Sequence, residues 1–196
     1  GSYGIALGQE AKVDADFSSA VGYKAEANST RSVAIGMLAR TSGVDAAALG
    51  GRAEASGLES LALGQSAKTD GRADQALAVG VNASAAGIAS NAIGLNAKTS
   101  AQNATALGSN AQAYGESGIA IGSNALTTLV RTIAIGDGAQ ATAQSEDVAL
   151  GANSKTSNVI STPNTVIDGK TYNYAGINPT STLSVGKSGA ERTITN

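Results

Sequence analysis

Hydrophobic and polar positions along the chain fall into a short motif, Ala-aliphatic-Gly, that recurs almost from end to end. It runs from Ala6-Leu7-Gly8 and Ala20-Val21-Gly22 through Ala34-Ile35-Gly36 to Ala134-Ile135-Gly136 and Ala149-Leu150-Gly151. Successive marker glycines lie 14 residues apart, apart from one interval of 16 and one of 15. Self-similarity of this length marks stacked repeats. Fourteen residues also make two heptads, so an Ala-rich coiled coil has to be weighed. Against it, the apolar residues come as contiguous triplets such as Val33-Ala34-Ile35, and every copy carries a Gly, which costs a helix about 1 kcal/mol. Alternation fits better: large aliphatics stand one and three residues before the glycine, as in Leu61 and Leu63 or Ile119 and Ile121, and so share one face of a strand.

A second short strand follows each marker. Three residues after the glycine stands Ala in nearly every copy (Ala11, Ala25, Ala39 and onwards, with Ser154 last), and five after it Ala and Thr alternate from Ala27 and Thr41 to Ala141 and Thr156. That alternation hints at a 28-residue double unit. A second Gly often stands seven before the marker (Gly1, Gly43, Gly57, Gly87, Gly115), so each copy reads as strand, turn, strand, turn. Two strands per coil close into a flattened roll whose coils rise about 4.8 Å each. The expected fold is an all-β parallel roll, a rod about 50 Å long on that spacing.

The pattern predicts which face goes where. The large aliphatics are expected inside. The Ala two before the marker is then expected outside, giving a smooth column of Ala34, Ala48, Ala62, Ala78, Ala92, Ala106, Ala120 and Ala134. A bare face of that length invites an identical neighbour to cover it, so these alanines are the predicted homo-oligomer interface. The second strand turns Arg40, Glu54, Lys68 and Lys98 outward four after the marker, a face for water and for ligands.

Composition sharpens this. Alanine supplies 39 residues, aromatics only 3%, and a single roll of small side chains needs association or a staple. No Cys and no His are present, which excludes disulfides, Cys or His metal sites, thiol nucleophiles and Ser-His triads. No cofactor is expected, and the chain does not read as an enzyme. A net charge of -2 gives no footprint for nucleic acid. No apolar run approaches the roughly 20 residues of a membrane span, and no signal peptide is visible, so the chain reads as cytosolic or as a piece of something longer.

The repeat departs from itself in three places. The corner Thr69 to Asp74 holds two extra residues, including Asp70, Arg72 and Asp74, and one extra residue falls near Ser145-Glu146-Asp147; long corners of solenoids protrude and often bind partners. After Gly151 the period ends. Residues Val166 to Tyr174 read as a hairpin around Asp168-Gly169, with Tyr172 and Tyr174 on one face, as a binding hot spot or as a cover over the open end of the roll.

These residues resemble a known family. Ser32-Val33-Ala34-Ile35-Gly36 and Ser60-Leu61-Ala62-Leu63-Gly64 are similar to the SVAIG-type head repeats of trimeric autotransporter adhesins of the YadA kind. The stretch Ser184 to Asn196, with its Gly, Glu191-Arg192 and Ile194-Thr195-Asn196, resembles the neck that follows such heads. The resemblance covers 1–157 and 181–196, leaving 158–180 as an insert with a hairpin. It implies a left-handed parallel β-roll and three copies around an axis on the outer surface of a Gram-negative bacterium. A stalk and a C-terminal membrane anchor are expected outside this segment, which would make it a head alone. In such necks the Glu-Arg pair ties neighbouring chains, which points to Glu191 and Arg192. Partners implied are collagen, fibronectin, laminin or a host receptor such as a CEACAM. Collagen-binding heads carry Asn before the SVAIG core; here Arg31 stands there, with Glu59 and Asn91 in other copies.

The expected function is adhesion through many equivalent weak contacts, with Arg40, Glu54, Lys68, Asp70, Arg72, Asp74, Lys98, Tyr172 and Tyr174 as receptor-binding candidates. A structural spacer or auto-aggregation module is the alternative. A left-handed β-helix acyltransferase would show six-residue repeats and a catalytic His. An ice-binding solenoid would show an outward Thr array, whereas the Thr column here is read as inward.

Overall fold

The structure, a computed structural model, describes residues 2–195; Gly1 and Asn196, which the corner and neck readings include, lie outside the described residues. The chain winds as a parallel β-solenoid without helix. Three-residue strands, one per coil from Ile5–Leu7 to Val148–Leu150, form one sheet of 12 strands that Leu183–Ser184 completes. Two-residue strands from Lys12–Val13 to Gln140–Ala141 form a second sheet of 10. Pairing is parallel and in register, each marker coil on the next: Ala20 faces Ala34, Ala34 faces Ala48 and Ala120 faces Ala134.

Corners come every seven residues. Each carries one residue with left-handed backbone, such as Arg31 (φ 55), Leu38 (φ 60), Asp45 (φ 58) and Arg52 (φ 60). The marker glycine has a different reason to be there. Gly36 has φ 133, and a Cβ on it would sit 2.5 Å from the Gly50 carbonyl oxygen of the next coil. Only hydrogen fits between coils at that point.

The two faces of the three-residue strand are opposite to those expected. Ala34, Ala48, Ala62, Ala78, Ala92, Ala106, Ala120 and Ala134 are all wholly buried inside their own roll, so their side chains cannot form an interface with another copy. The aliphatics on either side of them point out instead: Leu63 and Leu107 each keep 43% of their surface exposed, and Leu150 46%. The cause is contour length. A turn of fourteen residues spans at most about 50 Å even when fully extended, and folded back into two sheets it leaves room for Ala, Ser and Thr but not for Leu or Ile. The readings of the second strand agree with the structure: Ala25, Ala39 and Ala53 are buried, as are Ala27, Thr41 and Ala55, while Arg40 and Lys68 lie outside.

The interior also explains the Ala/Thr alternation. Thr41 donates to Ser32 Oγ at 2.8 Å and Thr99 to Ser90 Oγ at 2.9 Å, and Ser60 pairs with Thr69 at 2.8 Å. The Ser32 hydroxyl in turn donates to the Ser29 carbonyl at 2.6 Å. In the central coils Ala in the Thr position has Ala opposite it: Ala55 with Ala46, Ala85 with Ala76, Ala113 with Ala104, all buried. Hydrogen-bonded Ser–Thr layers thus alternate with Ala–Ala layers, two coils to a unit. Coils nearer the ends depart from it: Ala27 has Ser18 opposite and Ala141 has Thr132, whose hydroxyls donate to the Ala15 and Leu129 carbonyls at 2.7 and 2.8 Å. Thr127 has Gly118 where Ser would stand, and its buried hydroxyl has no partner.

That difference is measurable. Thr41→Val removes a satisfied hydroxyl and should cost about 1 kcal/mol, whereas Thr127→Val removes an orphan and should be neutral or stabilising by up to about 1 kcal/mol. Urea unfolding at one fixed protein concentration compares the two; equal losses would contradict the layered interior.

Candidate interaction surfaces

An extended apolar surface runs along the outer face of the three-residue-strand sheet. One residue before each marker the side chain is aliphatic in every copy, from Leu7 and Val21 to Ile135 and Leu150. Neighbouring coils place these side chains about 4.8 Å apart, so they merge into a continuous stripe along the rod. Contiguous apolar surface of that extent marks an interaction site. The chemistry that the sequence reading assigned to the alanines therefore belongs to the aliphatic columns beside them.

The opposite sheet is ionic, and its charges are laddered from coil to coil. Arg40 donates to the Glu26 carboxylate through Nε at 2.8 Å and Nη2 at 2.5 Å, and Lys68 Nζ lies 3.2 Å from Glu54. At a corner column Arg31 makes a two-pronged pair with Asp45, both contacts at 2.6 Å. Arg131 pairs likewise with Glu146. The Arg40 guanidinium holds the Glu26 carboxyl below its ordinary range, and Arg31 does the same for Asp45. Lys12 is shifted up by its hydrogen bond and charge contact with Asp14. All of these side chains are largely solvated, so each pair contributes little to stability. They fix side-chain positions on the surface more than they hold the fold.

Of the receptor-binding candidates, the structure brings Arg40, Glu54 and Lys68 into one column, with Lys98 two coils further along. Among the described residues Lys98 makes no ion pair. The long corner lies beside Lys68. There Asp74 serves the backbone: its carboxylate accepts the Leu58 N–H at 3.0 Å. Asp70 accepts from Gly71 N–H at 2.9 Å, and Arg72 is exposed. Arg31 is a left-handed corner residue tied to Asp45, and Glu59 is a corner residue as well (φ 54). Asn91 is not at the equivalent place; the corner residue of its coil is Ala89, and Asn91 sits on the outward strand face.

The hairpin forms from Asn164–Ile167 and Lys170–Asn173, turning at Asp168 (φ 48) and Gly169 (φ 76). Tyr172 is 45% and Tyr174 48% exposed, with the Lys170 ammonium 5.4 Å from the Tyr172 ring centre. These tyrosines do not cover the roll. Its end is closed instead by Leu183–Ser184, which pairs with Val148 and Ala149, and by Arg192. Arg192 donates to Ser154 Oγ at 2.8 Å and to the Val185 and Ala152 carbonyls at 2.7 and 2.5 Å. Glu191 accepts from Gly189 N–H at 2.7 Å, which holds its carboxyl below the ordinary range. Both residues of the pair are thus engaged within their own chain.

One residue absent from the candidates anchors this junction. Asp147, wholly buried, accepts from Gln144 N–H at 2.9 Å, Thr182 N–H at 2.8 Å and Thr182 Oγ1 at 3.1 Å. Its signal in the sequence is that it is the one acidic residue at a position where other coils carry Ser, Thr, Ala or Gly.

A rod of stacked coils with one aliphatic and one ionic face defines a repetitive scaffold that presents surfaces. The YadA head domain repeat matches residues 1–25, 16–39, 42–71, 100–125 and 130–154, more than half of the chain. The chain belongs to the family of YadA head repeats. It is 58% identical over 45 residues to the autotransporter adhesin BtaE of Brucella suis biovar 1 (strain 1330), a match spanning 23% of this chain and 6% of that protein. Among solved structures, the collagen-binding domain of the Yersinia adhesin YadA overlaps 100% of this chain and 87% of its own, with 20% identity and a TM-score of 0.46.

Two outcomes follow from these contacts. Because the Glu26 and Asp45 pKa values are lowered in the folded chain, their contribution is present above the ordinary carboxylate range, near pH ~4, and is lost as pH falls through the lowered values. The melting temperature should drop on acidification, and by less in the Arg31→Ala/Arg40→Ala variant and in high salt. Asp147→Ala should free the Thr182 segment at a cost of about 2 kcal/mol, read as faster proteolysis between 157 and 182 with the coils before it still protected.

Proposed function

We propose that this chain is the head of a bacterial surface adhesin, working as a homotrimer on the outside of a Gram-negative cell and attaching it to host matrix or to a host receptor. The observation that carries this reading is the aliphatic stripe. A lone rod would leave it in water, whereas three rods turning these stripes toward a common axis would cover them and leave the ionic sheets outward. Family membership supports the number three and the surface location.

Such an assembly would act by valency. The coils form a stiff rod, and each side chain on the ionic sheet is repeated on every chain of every copy, so weak contacts multiply through effective concentration. The side chains best placed for a ligand are Lys98, which has no ion pair among the described residues, Lys68 with the exposed Asp70 and Arg72 of the long corner beside it, and the hairpin residues Tyr172 and Tyr174. Arg and Tyr are the residue types that most often dominate binding energy. The ligand classes that fit are matrix proteins such as collagen, fibronectin or laminin and receptors of the CEACAM kind. A specific observation favours a second use. Residues 75–136 carry only three charged side chains, Lys98, Glu116 and Arg131, a neutral waist along which rods of neighbouring cells could lie side by side.

The test is a binding series with the purified chain on immobilised collagens, fibronectin, laminin and CEACAM ectodomains. Avid binding to one of them is expected, with a loss of at least about tenfold in Ile121→Asp/Ile135→Asp, where valency disappears, and in one of Lys68→Ala/Arg72→Ala or Tyr172→Ala/Tyr174→Ala. A folded assembly that binds none of them, yet clumps the cells that display it, would replace host adhesion with auto-aggregation.

A further inference from the structure

We propose that Asn91 and Thr105 form a polar layer that sets the register of the chains against one another; this rests on the trimeric reading above. A repetitive interface has a specific weakness. The outward column next to the markers is aliphatic in every coil, so sliding one rod along another by a single coil, about 4.8 Å, leaves that column matched. Something that does not repeat must distinguish the correct alignment.

The second outward column supplies it. Three residues before the markers the side chains are the large aliphatics Ile5, Val33, Leu61, Leu77, Ile119, Ile133 and Val148 in most coils and the small Ser19 and Ala47 in two, but Asn91 and Thr105 stand in two adjacent ones. These two are direct partners in neighbouring strands, flanked by Leu77 on one side and Ile119 on the other. Both point away from the roll, because Ala92 and Ala106 beside them point in and are wholly buried. Each is already half-buried in the single chain. Among the described residues neither side chain has a hydrogen-bond partner. Other asparagines of the array behave differently: Asn82 donates to Asn96 at 3.3 Å and Asn96 to Asn110 at 3.1 Å, a ladder at the corners. Asn91 has an aliphatic residue below it and a hydroxyl above.

In a closed three-fold assembly equivalent residues meet at one height. Three Asn91 carboxamides, each with two donors and an acceptor, then face one another, with three Thr105 hydroxyls one coil away. In register the layer satisfies itself. Offset by one coil, Asn91 meets Leu77 of its neighbour and a buried amide loses its partners. A lone Asn in an apolar seam fixes register in this way in coiled coils, at some expense of stability.

Two variants test it. In Asn91→Asp three carboxylates would converge, and no other charged residue stands in either outward column. The dissociation constant of the assembly at pH 7 should rise at least about 100-fold and recover below pH ~4, where the carboxyls are protonated, relative to the unmodified chain at each pH. Identical behaviour of the two proteins would overturn the proposal, while an unmodified chain that is itself monomeric would remove the trimeric reading and the layer with it. Asn91→Leu/Thr105→Val removes the adjacent polar pair and leaves the small Ser19, near one end, as the one polar side chain of the seam. Refolding should then give a more heat-resistant protein, but as a ladder of staggered, unclosed species on light scattering. A single closed species as uniform as the original would place the register elsewhere and refute the assignment.

Discussion

A closed turn of fourteen residues encloses so little space that Ala, Ser and Thr make up nearly all of its buried side chains and Leu and Ile are shut out, and the rest of the structure follows from that limit. The interior is filled by Ala–Ala layers and by Ser–Thr pairs such as Ser32 with Thr41, whose hydroxyls bond each other at 2.8 Å. Such an interior buries little apolar surface per coil. Leu, Ile and Val, excluded from it, are displaced to the outer face of the longer strands, where a single chain cannot cover them. The same constraint that makes the rod thin therefore makes it sticky along one side.

The opposite side shows how a rod of this kind stays soluble and addressable. Its outward positions carry charges paired between coils, Glu26 with Arg40 and Glu54 with Lys68, so side chains are held in place without contributing much energy. Departures from the repeat carry what repetition cannot. The long corner places Arg72 beside the ionic column, the buried Asp147 ties Thr182 back to the last coil, and the Asn91–Thr105 pair interrupts the run of large aliphatics between Leu77 and Ile119.

Coil length, strand positions, corner spacing and the ionic face could all be read from the sequence, because a period of fourteen with markers in fixed places leaves few alternatives. Facing of the longer strand could not be read by the usual rule that large apolar residues go inside. The clue lay in the repeats themselves: the middle Ala never varies over eleven copies, while the flanking positions range over Leu, Ile, Val, Ala, Ser, Asn and Thr. A residue held to the smallest apolar size is under steric constraint, and the variable positions are not. Asp74 looked like a free ligand in sequence but is spent on the Leu58 N–H. Which chain Arg192 grips depends on tertiary approach over 38 residues to Ser154, beyond the reach of local pattern.

The claim on which the functional account stands is that the displaced aliphatic columns are covered by two further copies of the chain. Sedimentation equilibrium at micromolar concentration measures this without reference to any ligand. The account predicts a particle of three times the 19.1 kDa chain mass; a stable species at the mass of one chain, still folded as β-structure, would contradict it.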